Sequence, residues 1–193
     1  MKRRSAGFTL VELMVIIVII GITFSLALPG FQGMIQRNRM ATNVNDMLLA
    51  INLARSEAMR RGGLVTVQSA DNGSESDNEF GNGFCVQVGE PGQSNYSDTC
   101  TYDAARCGPP MTTGCIIRQF EALGGSATIN SVENLDALTF GSIGELSATT
   151  TASLDVCDTG VEGRRIRIAL IGRSKSHRAD PDNANSTTDP SCP

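Results

Sequence analysis

The chain of 193 residues has no tryptophan, two tyrosines and one histidine, His177. A lone imidazole without a partner set supplies neither an activated nucleophile nor a metal-ligand cluster, and no glycine-rich phosphate loop is present. No catalytic residue, no metal site and no cofactor is therefore assigned. Positive charge is also short, with 16 Lys and Arg against 20 Asp and Glu for a formal net charge of -4. Lys2, Arg3 and Arg4 are three of those cations, so without the first seven residues 13 basic side chains face 20 acidic ones, or -7. A bulk attraction to nucleic acid is not expected, and any such contact has to be local.

Charge is scarcest between Phe8 and Leu28, where no basic residue and one acid, Glu12, interrupt what otherwise reads as a membrane span. An ionised carboxylate in hydrocarbon costs about 3 kcal/mol on insertion scales, so Glu12 requires an explanation. The three cations ahead of the run orient it with the N-terminus in the cytoplasm and the remainder exported. At 40% hydrophobic residues, the expectation is one globular domain plus an anchoring segment.

All six cysteines, Cys85, Cys100, Cys107, Cys115, Cys157 and Cys192, follow the apolar run, where an exported domain keeps disulfides. Cys100 and Cys107 are spaced C-x6-C, Cys107 and Cys115 are spaced C-x7-C, and no C-x2-C pair occurs. Structural zinc sites use tighter ligand pairs, so disulfides in an oxidising compartment are expected, with the connectivity left open.

Helical periodicity continues past the run. Phe31, Met34, Ile35, Val44, Met47, Leu48, Ile51, Ala54 and Ala58 share one face, while Arg37, Arg39, Asn43, Asn45, Arg55 and Glu57 mostly mark the other. Cations followed by glycines set the end at Arg60-Arg61-Gly62-Gly63. From Phe8 this makes a helix of about 54 residues, roughly 80 Å long. Pro29, among Gly21, Gly30 and Gly33, marks a kink or local melting, or else the plain end of the span.

After Gly63, residues 64–68, 83–88, 115–121, 127–132, 135–140, 152–156 and 164–171 read as short antiparallel strands. Residues 71–82 and 90–113 are polar and turn-rich and read as surface loops, the second restrained by cysteines. The tail, 179–193, has too few apolar residues to fold alone, and a disulfide through Cys192 would tie it down.

The stretch KRRSAGFTLVEL, residues 2–13, resembles the class III signal of type IV pilins and type II secretion pseudopilins. That resemblance implies cleavage by prepilin peptidase after Gly7, N-methylation of the new terminal residue Phe8, and a role for Glu12 in filament assembly. It further implies other major and minor pilins or pseudopilins and an inner-membrane assembly platform as partners. The implied location is the bacterial inner membrane, single-pass with a periplasmic head. A conventional secretory signal would instead be cut after the run, where Ser25-Leu26-Ala27 offers small residues. Cleavage after Gly7 leaves a cationic amine on Phe8, four residues before Glu12. In a bundle of parallel helices the carboxylate of one subunit can meet the amine of its neighbour, and burial favours that pairing over leaving either charge alone.

The expected organisation is then a leader at 1–7, a transmembrane and assembly helix at 8–28, an amphipathic helix at 29–63, a β-rich head at 64–178 and a tail at 179–193. The fold class is α+β and pilin-like, a long N-terminal helix packed on an antiparallel head. Arg55-Ser56-Glu57-Ala58, Gly83-Phe84, Phe140-x3-Gly144, Arg165-Ile166-Arg167-Ile168 and Gly172-Arg173 resemble the GspH/FimT-type minor pseudopilins, from whose pattern the absence of tryptophan departs.

Six of the 13 cations beyond the leader, Arg164, Arg165, Arg167, Arg173, Lys175 and Arg178, fall within residues 164–178. Gly172-Arg173-Ser174-Lys175 resembles the Gly-Arg-x-Arg element with which some FimT-type proteins bind DNA during transformation, so these six are candidate DNA contacts. Phosphate contacts of this kind ignore sequence and weaken with salt, and lysine in the last place keeps the charge without the bidentate fork. The plain alternative is that Arg165-Ile166-Arg167-Ile168 alternates as any half-buried strand does. Asn72, Asn95 and Asn185 begin N-x-S/T triplets to which no role is assigned.

Overall fold

The fold comes from a computed structural model that describes residues 8–70, 79–101, 103, 105–107, 112–178, 190 and 192, with the backbone alone for 26–29. The leader with Gly7, the triplets at Asn72 and Asn185, and all of the tail but Pro190 and Cys192 lie outside the described residues.

One helix, α1 (Leu10–Arg61), opens the structure. It stops at Gly62, whose N–H donates to Ala58 O and whose left-handed φ of 64° turns the Gly63 N–H back onto the same carbonyl at 3.2 Å, with Arg60 and Arg61 in the last turn at the negative end of the helix dipole. The helix is not straight, since Leu10–Ser25 and Gly30–Arg61 lie 42° apart. Proline removes one helical N–H at this break. Among the described residues no single helix is long and apolar enough to cross a membrane, whereas the bent pair is by length and composition.

The second half of α1 buries Met40, Val44, Met47, Ile51, Ala54 and Ala58 against two sheets. Phe31, Met34 and Ile35 continue the same stripe toward the N-terminus yet are exposed, because the helix there has run off the end of the head.

Strands β1 (Val65–Ser69), β2 (Phe84–Val88), β3 (Ile116–Phe120) and β5 (Ala137–Phe140) form one sheet in the order β3-β2-β1-β5. Strands β4 (Thr128–Ser131), β6 (Ala152–Cys157), β7 (Arg164–Ile168) and β8 (Ser174–Arg178) form the other, in the order β4-β6-β7-β8. Every pairing is antiparallel. Val65, Val67, Val86, Phe84 and Leu138 from the first sheet and Ile129, Leu154, Val156, Ile166 and Ile168 from the second enclose the apolar face of α1 in one core. Phe84 stacks on Phe120 with centroids 4.7 Å apart, and Phe80 meets Phe84 edge-on at 6.4 Å.

Two features depart from the sequence reading, and a third lies outside it. Residues 172–178, read as a loop after a strand reaching Ile171, instead turn back at 169–173 and form the edge strand β8. Ser-Lys-Ser-His-Arg has no apolar alternation to announce a strand, because β8 is almost wholly exposed and buries no apolar face. Next, Glu79 and Phe80 are buried although they fall in a stretch read as surface loop: Phe80 N–H donates to Ile129 O at 3.1 Å, and Ser131 N–H donates to Glu79 Oε2 at 2.9 Å. Third, β1 is buried on both faces. Its outward Thr66 and Gln68 lie beneath the 90–113 loop, from which Tyr96 donates its hydroxyl to Gln68 Oε1 at 2.8 Å.

All six cysteines are paired, Cys85 with Cys100, Cys107 with Cys115 and Cys157 with Cys192. The first two bridges fasten that covering loop to β2 and to its own exit. The third fixes Cys192 at the end of β6.

Candidate assembly terminus and basic face

At the N-terminus, Thr9 caps α1. Glu12 N–H donates to Thr9 Oγ1 at 3.2 Å, and Thr9 N–H donates to Glu12 Oε2 at 3.5 Å, a reciprocal capping box. The Glu12 carboxylate is therefore turned back toward Phe8, at the positive end of the helix dipole, where an anion is favoured. Thr9-Leu10-Val11-Glu12 is a T-x-x-E signature, so this arrangement could have been found in the sequence. Around it, Phe8, Leu10, Val11, Leu13, Met14 and the apolar positions through Phe24 are exposed. A carboxylate and a helix start thus sit at one end of an apolar rod that nothing among the described residues covers.

The six candidate DNA contacts lie together in sequence, but the structure sends them to three places. Arg165 is buried: its Nε–H donates to Asp155 Oδ1 at 2.6 Å and its Nη2–H to Asp155 Oδ2 at 2.7 Å, across the β6–β7 pair. Both partners are nearly inaccessible, at 5% for Arg165 and 0% for Asp155, so this guanidinium belongs to a desolvated ion pair and not to an exposed cationic set. Arg167 and Lys175 are cross-strand neighbours on the outer face of β7 and β8. With Arg173, His177 and Thr151 they line a hollow of about 490 Å³. Arg164 and Arg178 are also cross-strand neighbours, but in register with Val156 they share the inner face, where they line a separate cavity with Arg37 and Met40 of α1.

Two turns join the sheets beside the end of α1. Leu146 N–H donates to Leu170 O at 2.8 Å, linking the turn after β5 to the β7–β8 turn. Arg55 Nε–H donates to Gly144 O at 3.0 Å, tying both to the helix. Gly172 has φ +74°, and a Cβ there would collide with Gly144 O, so the two backbones touch only because glycine is present. Nearby, Arg61 Nε–H donates to Glu57 Oε2 at 2.8 Å and Arg60 Nε–H to Glu57 Oε1 at 3.2 Å. The Arg60 hydrogen bond, against some opposition from burial and with help from Arg61, holds the Glu57 carboxyl below its ordinary value.

A bent helix with a bare apolar first half, laid in its second half on two small antiparallel sheets, defines the pilin-like class of α+β subunits. A family model described as type II transport protein GspH matches residues 43–172, and one described as the prokaryotic N-terminal methylation motif matches residues 2–28. This chain belongs to the GspH family. It is similar to the type IV minor pilin FimU of Pseudomonas aeruginosa, at 19% identity and a TM-score of 0.56 over 74% of this chain and 90% of that one, a likeness of fold. It is also 44% identical over 45 residues to fimbrial protein EcpC of Eikenella corrodens, covering 23% of this chain and 29% of that protein. Type II secretion system core protein G of Aeromonas hydrophila is 43% identical over 51 residues, covering 26% of this chain and 36% of that protein. The chain thus spans about a third of the length of the curated relatives it matches.

Proposed function

We propose that the chain is a non-enzymatic minor subunit of a type IV pilus or a type II secretion pseudopilus, held in the inner membrane by the first half of α1 until it is drawn into a filament. The observation that carries this reading is the exposed apolar rod before the head, which ends in a carboxylate turned toward Phe8, the residue that this reading makes the new terminus. Prepilin peptidase cuts between Gly7 and Phe8, and Phe8 becomes the methylated N-terminus. Glu12 pairs with the Phe8 amine of an adjoining subunit, which offsets the cost of placing an acid among apolar helices. The partners are other pilins or pseudopilins and the inner-membrane assembly platform. Intact mass and N-terminal sequencing of the protein from its host test this directly: a chain starting at N-methylated Phe8 supports it, and one starting after Ala27 overturns it.

A second reading, a DNA receptor in transformation, draws on the outer face of β7 and β8. Arg167, Arg173 and Lys175 are exposed there and make no ion pair among the described residues. Three cations facing one way can hold a phosphate backbone without reading sequence. In a gel shift of the mature chain at low salt, retarded DNA that is released as salt rises and is lost on Arg173→Gln with Lys175→Gln supports this reading. No shift, or a shift that those changes leave intact, removes it.

A further inference from the structure

The inner-face arginines have a different setting from the outer ones. Arg164 and Arg178 stand directly opposite each other in the β7–β8 pair, and like charges so placed repel. Arg37 comes from α1, and the three arginines line one cavity of about 600 Å³. Glu162 also lines it, yet among the described residues none of the three arginines forms an ion pair. A cavity lined by three cations and one anion lacks negative charge, and the fork geometry of arginine suits a phosphate.

Position along the chain indicates where that phosphate comes from. Arg37 is the first charged residue after Glu12, and residues 13–36 between them carry no charge. As helix those 24 residues measure about 36 Å, against a hydrocarbon core of about 30 Å, and the 42° bend shortens their reach. A helix that places Glu12 at one boundary of the bilayer brings Arg37 to the other, at the level of the headgroups. Phe31, Met34 and Ile35, exposed just below Arg37, suit the acyl side of that boundary, and Met40 is part of the cavity wall.

We propose that Arg37, Arg164 and Arg178 form a site for the headgroup phosphate of an anionic phospholipid in the outer leaflet, which seats the base of the head on the membrane. The inference rests on the anchored-subunit reading and adds to it a specific lipid contact, one given up when the subunit leaves the bilayer.

The test uses the full chain in neutral detergent, titrated with phosphatidylglycerol or phosphatidylcholine and read by native mass spectrometry of the lipid adducts. Phosphatidylglycerol is expected to bind more tightly, and Arg37→Gln and Arg178→Gln, both at exposed positions, should each weaken it by about fivefold, the equivalent of about 1 kcal/mol per cation near an anionic surface. Arg173→Gln with Lys175→Gln on the outer face should leave it unchanged. Equal binding of the two lipids, or a preference that survives Arg37→Gln with Arg178→Gln, overturns the site. Inorganic phosphate that displaces phosphatidylglycerol at equal concentration overturns the lipid as its source. A preference that emerges only after Asp180, Asp182 and Asp189 are changed to Asn overturns it as well, because the arginines are then occupied by the chain's own tail. Failure of the anchored reading is separate: a chain that does not enter neutral vesicles at all refutes anchoring, whatever its headgroup preference in detergent.

Discussion

Arg165 and Asp155 face each other across β7 and β6 in a two-pronged, desolvated ion pair, with Nε–Oδ1 at 2.6 Å and Nη2–Oδ2 at 2.7 Å. Asp155→Ala takes the two-pronged contact away from a guanidinium held out of water, so it should destabilise the head by about 3 to 5 kcal/mol. Replacing both, Asp155→Leu with Arg165→Met, should cost far less than Asp155→Ala alone. Denaturant unfolding of the oxidised chain measures both. A loss below about 1 kcal/mol for Asp155→Ala, the size expected of an exposed pair, contradicts the burial.

Gly172 and Gly144 make a seam between the two sheets where only hydrogens fit. Gly172→Ala places a side chain in a left-handed backbone and against a carbonyl oxygen, so a loss of at least about 1 to 3 kcal/mol is expected. For a head of this size that lowers Tm by at least about 3 °C. Gly92 also has a left-handed backbone, at φ +87°, but has open space around it, so Gly92→Ala tests backbone strain without the collision and should cost less.

Glu57 gives the end of the helix a pH dependence of known sign. Its folded carboxyl is held below the ordinary 4.5, chiefly by Arg60, so the stabilisation is complete above that value and is lost as pH falls through the lower, folded one. Amide protection over residues 57–63, taken relative to the intrinsic exchange rate at each pH, should therefore fall only below pH 4.5, and Glu57→Gln should remove that part of the profile. A loss of protection already complete above that pH would assign it to another group.

The Cys157–Cys192 bridge spans 35 residues, a loop whose closure is worth up to about 4 kcal/mol in the chain-entropy model. Cys192→Ser should lower stability toward that limit and expose Gly163, which lies against Cys192 and Pro190, to faster amide exchange. Unchanged stability would mean that the bridge only tethers the tail.

Much of the architecture could be read from the sequence because it rests on local signals. The stripe from Val44 to Ala58 gave the packing face, Arg61-Gly62 the stop, and runs such as Phe84–Val88 and Ala152–Cys157 the strands. What escaped depended on partners distant in sequence. Phe80 sits in a polar stretch and is buried because Phe84 and Ile129 converge on it. The hairpin strand β8 draws its order from β7 and not from an apolar pattern of its own. The basic stretch was visible as composition, but its division into a buried Arg165, an inner Arg164 and Arg178 and an outer Arg167, Arg173 and Lys175 follows from strand register, and only a known turn at Gly172 fixes that register.

The most direct measurement is the amount of this subunit recovered in sheared filaments or pseudopili when Glu12 is changed to Gln, Lys or Val. Pairing between Glu12 and the neighbouring Phe8 amine predicts that all three variants are cleaved and remain in the membrane, and that incorporation falls at least tenfold, about 1.4 kcal/mol, as expected for an unpaired buried amine. Because Gln retains the capping box, its failure would separate charge pairing from helix capping. Filaments that contain Glu12→Gln or Glu12→Val subunits at the parent level would contradict the proposal.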